Sequence, residues 1–230
     1  GVIDAQGGAA YYEMNNHSWI KYDVNLEANG YRVVTNFSFA GREEDYAGWE
    51  RYLTANAIMQ EQFSREREMT AIEAINLFSR QYRHELLGVD YTSENAPELV
   101  VDQDFIPRRI TSAVVCFEGV KAGGKAKHTI MWSALGYPAC AVAIPLVLHP
   151  DYLPPYMQAR DKNATVGQGL HSEMCDLAMA IKQQWVFPLH ISNGHKYIAL
   201  QNILCDQPHA PSLLSCVHSV EKSIVAAFEP

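Results

Sequence analysis

Two side chains of this sequence stand where they could do chemistry, Asn36 and Arg51. Asn36 interrupts the run GYRVVTNFSF (residues 30–39), in which aromatic and β-branched residues predict a strand over 31–35. An amide at the end of a strand can hold a hydrogen-bond donor at the mouth of a site, and it is also a common way to end a strand. Arg51 lies in the segment WERY, at the start of a predicted helix, where an ion-paired surface role is equally compatible. The residue types alone leave both interpretations open.

The familiar motifs of metal, nucleotide and serine-hydrolase chemistry are missing from the sequence. There is no HExxH pair, and His171-Ser172-Glu173 is not followed by the PCxxC of zinc deaminases. Walker A, GxGxxG and GxSxG patterns are absent as well. We therefore predict neither a metal nor an organic cofactor.

The composition and charge of the chain limit the kinds of partner and environment that it can have. The formal net charge is -8, and the one local group of lysines is Lys121, Lys125 and Lys127 in a Gly-rich loop, which argues against binding to nucleic acid. No run approaches the ~20 apolar residues that span a bilayer. The five cysteines form no CxxC pair, and their odd number predicts at least one free thiol. The start of the chain lacks the pattern of a signal peptide, and the sequence leaves the cellular compartment open.

The hydrophobic period changes along the chain from two to 3.6 and back. Strands are predicted over 2–5, 9–13, 19–25 and 31–35, and a helix over 48–63. A second helix is expected to begin at Thr70, where Thr70 and Glu73 fit a capping box, and to run to a stop at Gly88. Residues 89–110 are predicted to form a loop.

Strands return over 112–118, 129–135 and 141–148, and Pro145 predicts that the last of these is an edge strand or carries a bulge. Amphipathic helices are predicted over 168–184 and from Pro211 onward. Because strand runs and helix runs are segregated, the expected fold class is α+β, with residues 1–230 in one domain.

Four short segments, taken in order, carry a family resemblance. They are DAQGGAAYYE (residues 4–13), TNF (35–37), WERY (49–52) and MWSALGYP (131–138). Together they resemble the N-terminal-nucleophile (Ntn) hydrolases that cleave linear amide C–N bonds, which include choloylglycine hydrolases and penicillin acyltransferase-like C45 peptidases. The resemblance extends from Asp4 to about Pro145.

The resemblance implies a fold and two site residues. The fold would be a four-layer αββα sandwich with mainly antiparallel sheets, of which this chain is the larger, C-terminal portion. Asn36 matches the family's oxyanion-stabilising Asn, and Arg51 matches an Arg that lies close to the nucleophile. Asp4 and Glu13 are expected to be structural.

The sequence also departs from the family pattern. Family members use an N-terminal Cys that lies well before the DAxG segment, and here no Cys precedes Asp4. We therefore expect the N-terminal part of the fold to be missing and the chain alone to be inactive. A truncated product, one chain of a processed enzyme and a degenerate binding protein are three explanations, and an unrelated α+β binding module is a fourth.

Partners follow from the same resemblance. A complete enzyme would act on a small acyl-amide substrate. A sheet that lacks strands exposes unpaired edges, so we expect a homo-oligomer or pairing with an N-terminal fragment.

Overall fold

The computed structural model of the chain describes residues 1–4, 8–41, 47–65, 68–147, 153–159 and 172–228. The chain opens with an antiparallel meander of three strands, β1 (Val2–Ile3), β2 (Ala9–Met14) and β3 (Trp19–Asp23). Tyr11 pairs with Tyr22 across β2 and β3, and their rings stack with centroids 6.0 Å apart. The three strands lie where the sequence predicts them, although β1 ends at Ile3 and β3 ends at Asp23, and residue 5 lies outside the described residues.

The predicted strand over 31–35 is wrong. This segment pairs with no strand among the described residues and lies instead along the first helix, α1 (Trp49–Phe63). Its half-buried side chains pack there, as Tyr31 does against Phe63 with ring centroids 6.2 Å apart. An extended segment that buries side chains against a helix shows the same sequence pattern as a strand, which explains the error.

The second helix, α2 (Ala71–Ser79), begins as predicted and ends earlier. The Thr70 side chain accepts from the Glu73 backbone N–H, and the Glu73 carboxylate accepts from the Thr70 backbone, so the capping box is confirmed. The chain leaves helical geometry at Arg80, because the Arg80 guanidinium is drawn into the core, where it donates to the Pro138 carbonyl oxygen at 2.9 Å.

The residues after Ser79 form a hairpin rather than the predicted end of α2. Strands β4 (Tyr82–His84) and β5 (Val89–Tyr91) pair antiparallel, and Gly88, at φ 64°, serves their turn instead of stopping a helix. Residues 89–110 are also not all loop, because they contain a further strand, β6 (Leu99–Val101). β6 pairs antiparallel with β10 (Tyr197–Ala199), which lies much later in the chain. A pairing between segments so far apart in sequence leaves no local pattern to read.

The three later strands are confirmed, although the last begins at Ile144 rather than at residue 141, and residue 148 lies outside the described residues. They form an antiparallel sheet in the order β7 (Ala113–Glu118), β8 (Ile130–Leu135) and β9 (Ile144–Val147). Pro145 lies on β9, at the edge of this sheet, where a missing N–H is tolerated.

Helices follow the sheet. They are α3 (Glu173–Ile181), α4 (Leu200–Leu204) and α5 (Leu213–Phe228). Ser172 caps α3, so the predicted helix over 168–184 begins later than expected, and residues 168–171 lie outside the described residues. A π-helical turn, Lys182–Val186, follows α3 directly.

The core joins α2, β8 and the helices of the C-terminal part. Tyr82, Tyr137, Ile75 and Ile198 are almost fully buried within it. Every strand pair among the described residues is antiparallel, and the fold class is α+β with antiparallel sheets.

Candidate functional site

A cleft of about 590 Å³ lies between the extended segment before α1 and the helices α1 and α2. Asn36 and Arg51 both line it. Its apolar wall consists of Val33, Val34, Ala55, Met59, Phe78 and Ile106. A largely apolar cleft with a few convergent polar groups is the usual form of a small-molecule site.

Asn36 and Arg51 are in direct contact. Arg51 Nη2 donates a hydrogen bond to Asn36 Oδ1. A guanidinium has donors only, so this contact fixes the orientation of the amide, with Oδ1 on Arg51 and Nδ2 turned to the other side. Among the described residues no acceptor engages Asn36 Nδ2, and the Asn36 side chain is exposed. The amide N–H group therefore remains a donor at the cleft wall.

The turn before α1 makes room for this contact. Gly48 caps α1 in the left-handed region, at φ 80° and ψ 25°. A Cβ at Gly48 would overlap Arg51 Nη2 and come within 3.3 Å of Asn36 Oδ1. Thr35 Oγ1 donates to the Gly48 carbonyl oxygen at 3.2 Å and so ties the residue before Asn36 to the start of the helix.

Arg51 is buried and carries a counter-ion on its other side. Its Nη1 donates to Asp104 Oδ1 at 2.8 Å, and Asp104 also lies 3.7 Å from Arg108 Nη1. Burial lowers the pKa of the Arg51 guanidinium, repulsion by Arg108 lowers it further, and Asp104 opposes both effects. An arginine nevertheless stays charged in a protein, so the site holds a desolvated positive charge beside the Asn36 amide.

Aromatic packing holds the residue after Asn36. Phe37 is buried, with its ring centroid 5.3 Å from that of Tyr52 and 5.7 Å from that of Trp49, both on α1. Because Thr35 is tied to Gly48 and Phe37 is packed against the same helix, Asn36 is fixed from both neighbours in the chain.

Glu13, from the first sheet, fastens the segment that follows. Its carboxylate accepts hydrogen bonds from Ser38 Oγ at 2.7 Å, Phe39 N at 2.6 Å and Ala40 N at 3.0 Å. Burial opposes ionisation, but these bonds together with that from Tyr22 lower the pKa of Glu13. Asp4 similarly accepts from Gly8 N at 2.8 Å. These contacts give both acidic residues a structural part.

A second arginine lines the cleft. The Arg32 guanidinium lies 4.2 Å from the Tyr22 ring centroid and 4.9 Å from that of Phe39, and it forms an ion pair with Glu27. Its Nε is buried without a hydrogen-bond partner among the described residues. Arg32 therefore lies in the same wall as Asn36, with Glu27 as its counter-ion.

None of the five cysteines lines the cleft. Burial raises the pKa of the Cys116 and Cys175 thiols, with a further rise from a nearby carboxylate in each case, and it raises the pKa of Cys140 to about 12. A thiol with a raised pKa is protonated at neutral pH and is a poor nucleophile.

Within the described ranges, no group of three or more His, Cys, Asp or Glu side chains is arranged to hold a metal ion. In the same part of the chain, no helix combines the length and apolar character needed to cross a bilayer.

Sequence reasoning brought Asn36 and Arg51 forward and missed three of their neighbours. Asp104 is 53 positions from Arg51, and such a distant ion pair leaves no periodic signal. Gly48 was seen only as the start of a helix, although a Gly before an Arg-containing first turn is compatible with a left-handed cap. Arg32 could have been noticed as a lone charge inside the apolar run YRVV.

Comparison with known protein families, with curated proteins and with solved structures finds no match for this chain.

Proposed function

We propose that this chain carries the oxyanion-stabilising part of an Ntn-type hydrolase or acyltransferase that acts on linear amide C–N bonds, within a four-layer αββα sandwich. The observation that supports the proposal most strongly is the hydrogen bond between Arg51 and Asn36 at the wall of the cleft. Two residues that the family resemblance assigns to one site lie together, although 15 positions separate them in sequence.

The contact suits the chemistry of amide cleavage. When a thiolate adds to the carbonyl carbon, the carbonyl π electrons move to oxygen, and the new oxyanion needs a donor that is already oriented. Asn36 Nδ2 is such a donor, because Arg51 holds the opposite end of the amide. The nearby positive charge of Arg51 polarises the Asn36 N–H bonds further. Collapse of the intermediate then breaks the C–N bond, and the amine leaves with the proton that the thiol had lost. The acyl group passes from sulfur to water or to another amine.

In the proposed enzyme the nucleophilic Cys lies outside residues 1–230, because none of the chain's own cysteines lines the cleft. The apolar wall formed by Val33, Val34 and Met59 would receive the acyl group of the substrate. A small N-acyl amide therefore fits the cleft, with its carbonyl oxygen directed at Asn36.

The test uses the full-length gene product and a panel of N-acyl amino acids and glycine-conjugated bile acids, with release of the amine as the readout. We expect turnover of at least one substrate class, and Asn36→Ala should lower kcat by ~10²–10³ with a smaller effect on KM. Asn193→Ala is the matched control, because Asn193 is exposed and does not line the cleft. No turnover on the panel, or equal losses in the two variants, would contradict the proposal.

A non-catalytic binding protein is the second candidate, and the absence of a cysteine from the cleft lining favours it. In that case calorimetry with the same panel would show binding that Asn36→Ala weakens, without release of amine.

A further inference from the structure

A second groove, of about 680 Å³, lies between the edges of two sheets. β1 is the outer strand of the first meander, and β7 is the outer strand of the later sheet. Val2 and Ile3 line one side of the groove and Phe117 lines the other, while the Ile3 side chain reaches toward Gly119, 3.8 Å from the position of a Cβ built there. The groove is therefore separate from the cleft that holds Asn36.

β7 lies at the edge of its sheet. β8 pairs with one side of β7, and among the described residues no strand pairs with the other. An outer strand presents unpaired N–H and C=O groups, which is the template that strand addition uses.

The exposed face of β7 is apolar. Val114 and Cys116 pack against the core, whereas Val115 and Phe117 face outward, and Phe117 is 58% exposed. Across the groove Ile3 is 57% exposed. The apolar side chains of an added strand would cover Val115, Phe117 and Ile3.

The loop between β7 and β8 forms one rim of the groove, and this loop is basic. Val120 and Ala126 line the groove, and Lys121, Lys125 and Lys127 adjoin these two residues in the loop between β7 and β8. No ion pair engages the three lysines among the described residues. The local positive charge stands out in a chain whose net charge is -8.

The carboxylates close to the groove are already engaged. Asp4 accepts from Gly8 N, and Glu118 accepts from Trp132 Nε1 at 3.0 Å. These hydrogen bonds come from neutral donors and leave both carboxylates charged, but the three lysines outnumber them, so the net charge beside the groove is positive and complements an acidic partner.

We propose that the β7 edge binds an extended peptide segment in which apolar residues alternate with carboxylates. The main chain of the segment pairs with β7, its apolar side chains fill the groove, and its carboxylates meet the rim lysines. This inference is independent of the chemistry proposed for the Asn36 cleft.

The test measures binding of fluorescein-labelled peptides of eight residues to the chain by fluorescence anisotropy. One peptide alternates Val and Glu, and its counterpart alternates Val and Lys. We expect the acidic peptide to bind about tenfold tighter or more, with a preference that falls as salt is raised. N-methylation of alternate residues on the pairing side should abolish binding, because it removes the main-chain donors without altering the protein.

Charge reversal in the protein provides the matched comparison. Lys121→Glu, Lys125→Glu and Lys127→Glu in one variant should remove the preference for the acidic peptide. Lys21→Glu, Lys196→Glu and Lys222→Glu in a second variant make the same change in net charge outside the groove and should preserve the preference. Circular dichroism confirms that both variants fold.

Three results with the peptides would overturn the proposal. They are equal affinity for the two peptides, full binding of the N-methylated peptide, and retention of the preference by the rim variant. Sedimentation that shows a dimer, dissociated by the rim variant, together with no peptide binding, would assign the edge to a second copy of the chain and would equally overturn it.

Discussion

Arg51 donates a hydrogen bond to Asn36 Oδ1 across a turn in which a side chain at position 48 would collide with the guanidinium. Gly48 thus serves two needs at once, since its φ of 80° starts α1 and its missing Cβ leaves space for the contact. The relationship makes the geometry of the site depend on a residue with no functional group of its own.

Gly48→Ala should disrupt the site more than the backbone. An alanine in the left-handed region costs about 1–2 kcal/mol, and here its Cβ would also push the Arg51 guanidinium away from Asn36. Gly123→Ala is the matched control, because Gly123 has φ 81° and no heavy atom within 4 Å of a built Cβ. Urea unfolding should show a loss of stability in both variants that is larger in Gly48→Ala, and the ¹H–¹⁵N resonances of the Asn36 side-chain amide should shift only in Gly48→Ala. An unshifted amide would mean that Gly48 does not set the contact.

Glu13 should make the stability of the segment after Asn36 depend on pH. Its pKa is lowered in the folded chain by hydrogen bonds from Ser38, Phe39, Ala40 and Tyr22, which outweigh the effect of burial. A carboxylate whose folded pKa lies below the unfolded value of 4.5 contributes stability above that value, and the contribution is lost as the pH falls through the folded pKa. Glu13→Gln should therefore lower the free energy of unfolding at pH 7 and flatten its decline as the pH falls below 4.5. An unchanged slope would assign the acid sensitivity to other carboxylates.

Removing one charge of the buried Arg80–Glu221 ion pair should strongly lower the free energy of unfolding. Both side chains are 1% exposed, and Glu221 also accepts from Ala143 N at 2.7 Å. Glu221→Gln leaves a buried guanidinium without a counter-charge, so we expect a loss of about 3–5 kcal/mol in the free energy of unfolding. Glu61→Gln is the control, because the Glu61 side chain that pairs with Arg83 is half exposed and should contribute only ~0–1 kcal/mol.

The double variant Arg80→Met/Glu221→Leu separates the cost of an unpaired charge from that of the remaining polar groups. Removing both charges should recover part of the loss, with a residual cost because Ala143 N loses its acceptor and the Pro138 and Ala141 carbonyl oxygens lose their donor. Equal destabilisation in the single and double variants would contradict this account.

The sequence predicted correctly those strands and helices that bury one face against the core, because their apolar residues then recur with a regular period. β7 and β8 were found because core-facing and outward residues alternate along β7, and α5 was found because its apolar residues recur at helical spacing. The prediction failed over 31–35 and beyond Ser79, where burial against a helix and a buried Arg80 override the local pattern. Local periodicity cannot report such contacts because their partners lie far away in the chain.

The residues of the candidate site likewise fall into two groups, those that the sequence indicated and those that it did not. Asn36 and Arg51 belong to short segments with recognisable neighbours, so a family resemblance could bring them forward together. Asp104 and Arg32 act through the folded arrangement, one as a distant counter-ion and the other by stacking on Tyr22 and Phe39. Their part at the cleft depends on three-dimensional contacts that no spacing in the sequence encodes.

The reactivity of the five cysteines tests whether this chain supplies its own nucleophile. Cys140 is buried with a pKa raised to about 12, whereas Cys216 is exposed. In the native chain at pH 8, iodoacetamide should alkylate Cys216 first and leave Cys140 unmodified until the chain is unfolded, which mass spectrometry of digests can follow.

In the full-length protein, each of the five Cys→Ala variants should keep the turnover of the amide panel, because none of these thiols lines the cleft. Unfolding curves identify any variant whose loss of activity reflects a loss of stability. A folded Cys→Ala variant without turnover would place the nucleophile within residues 1–230 and would contradict the proposal that the thiol comes from outside them.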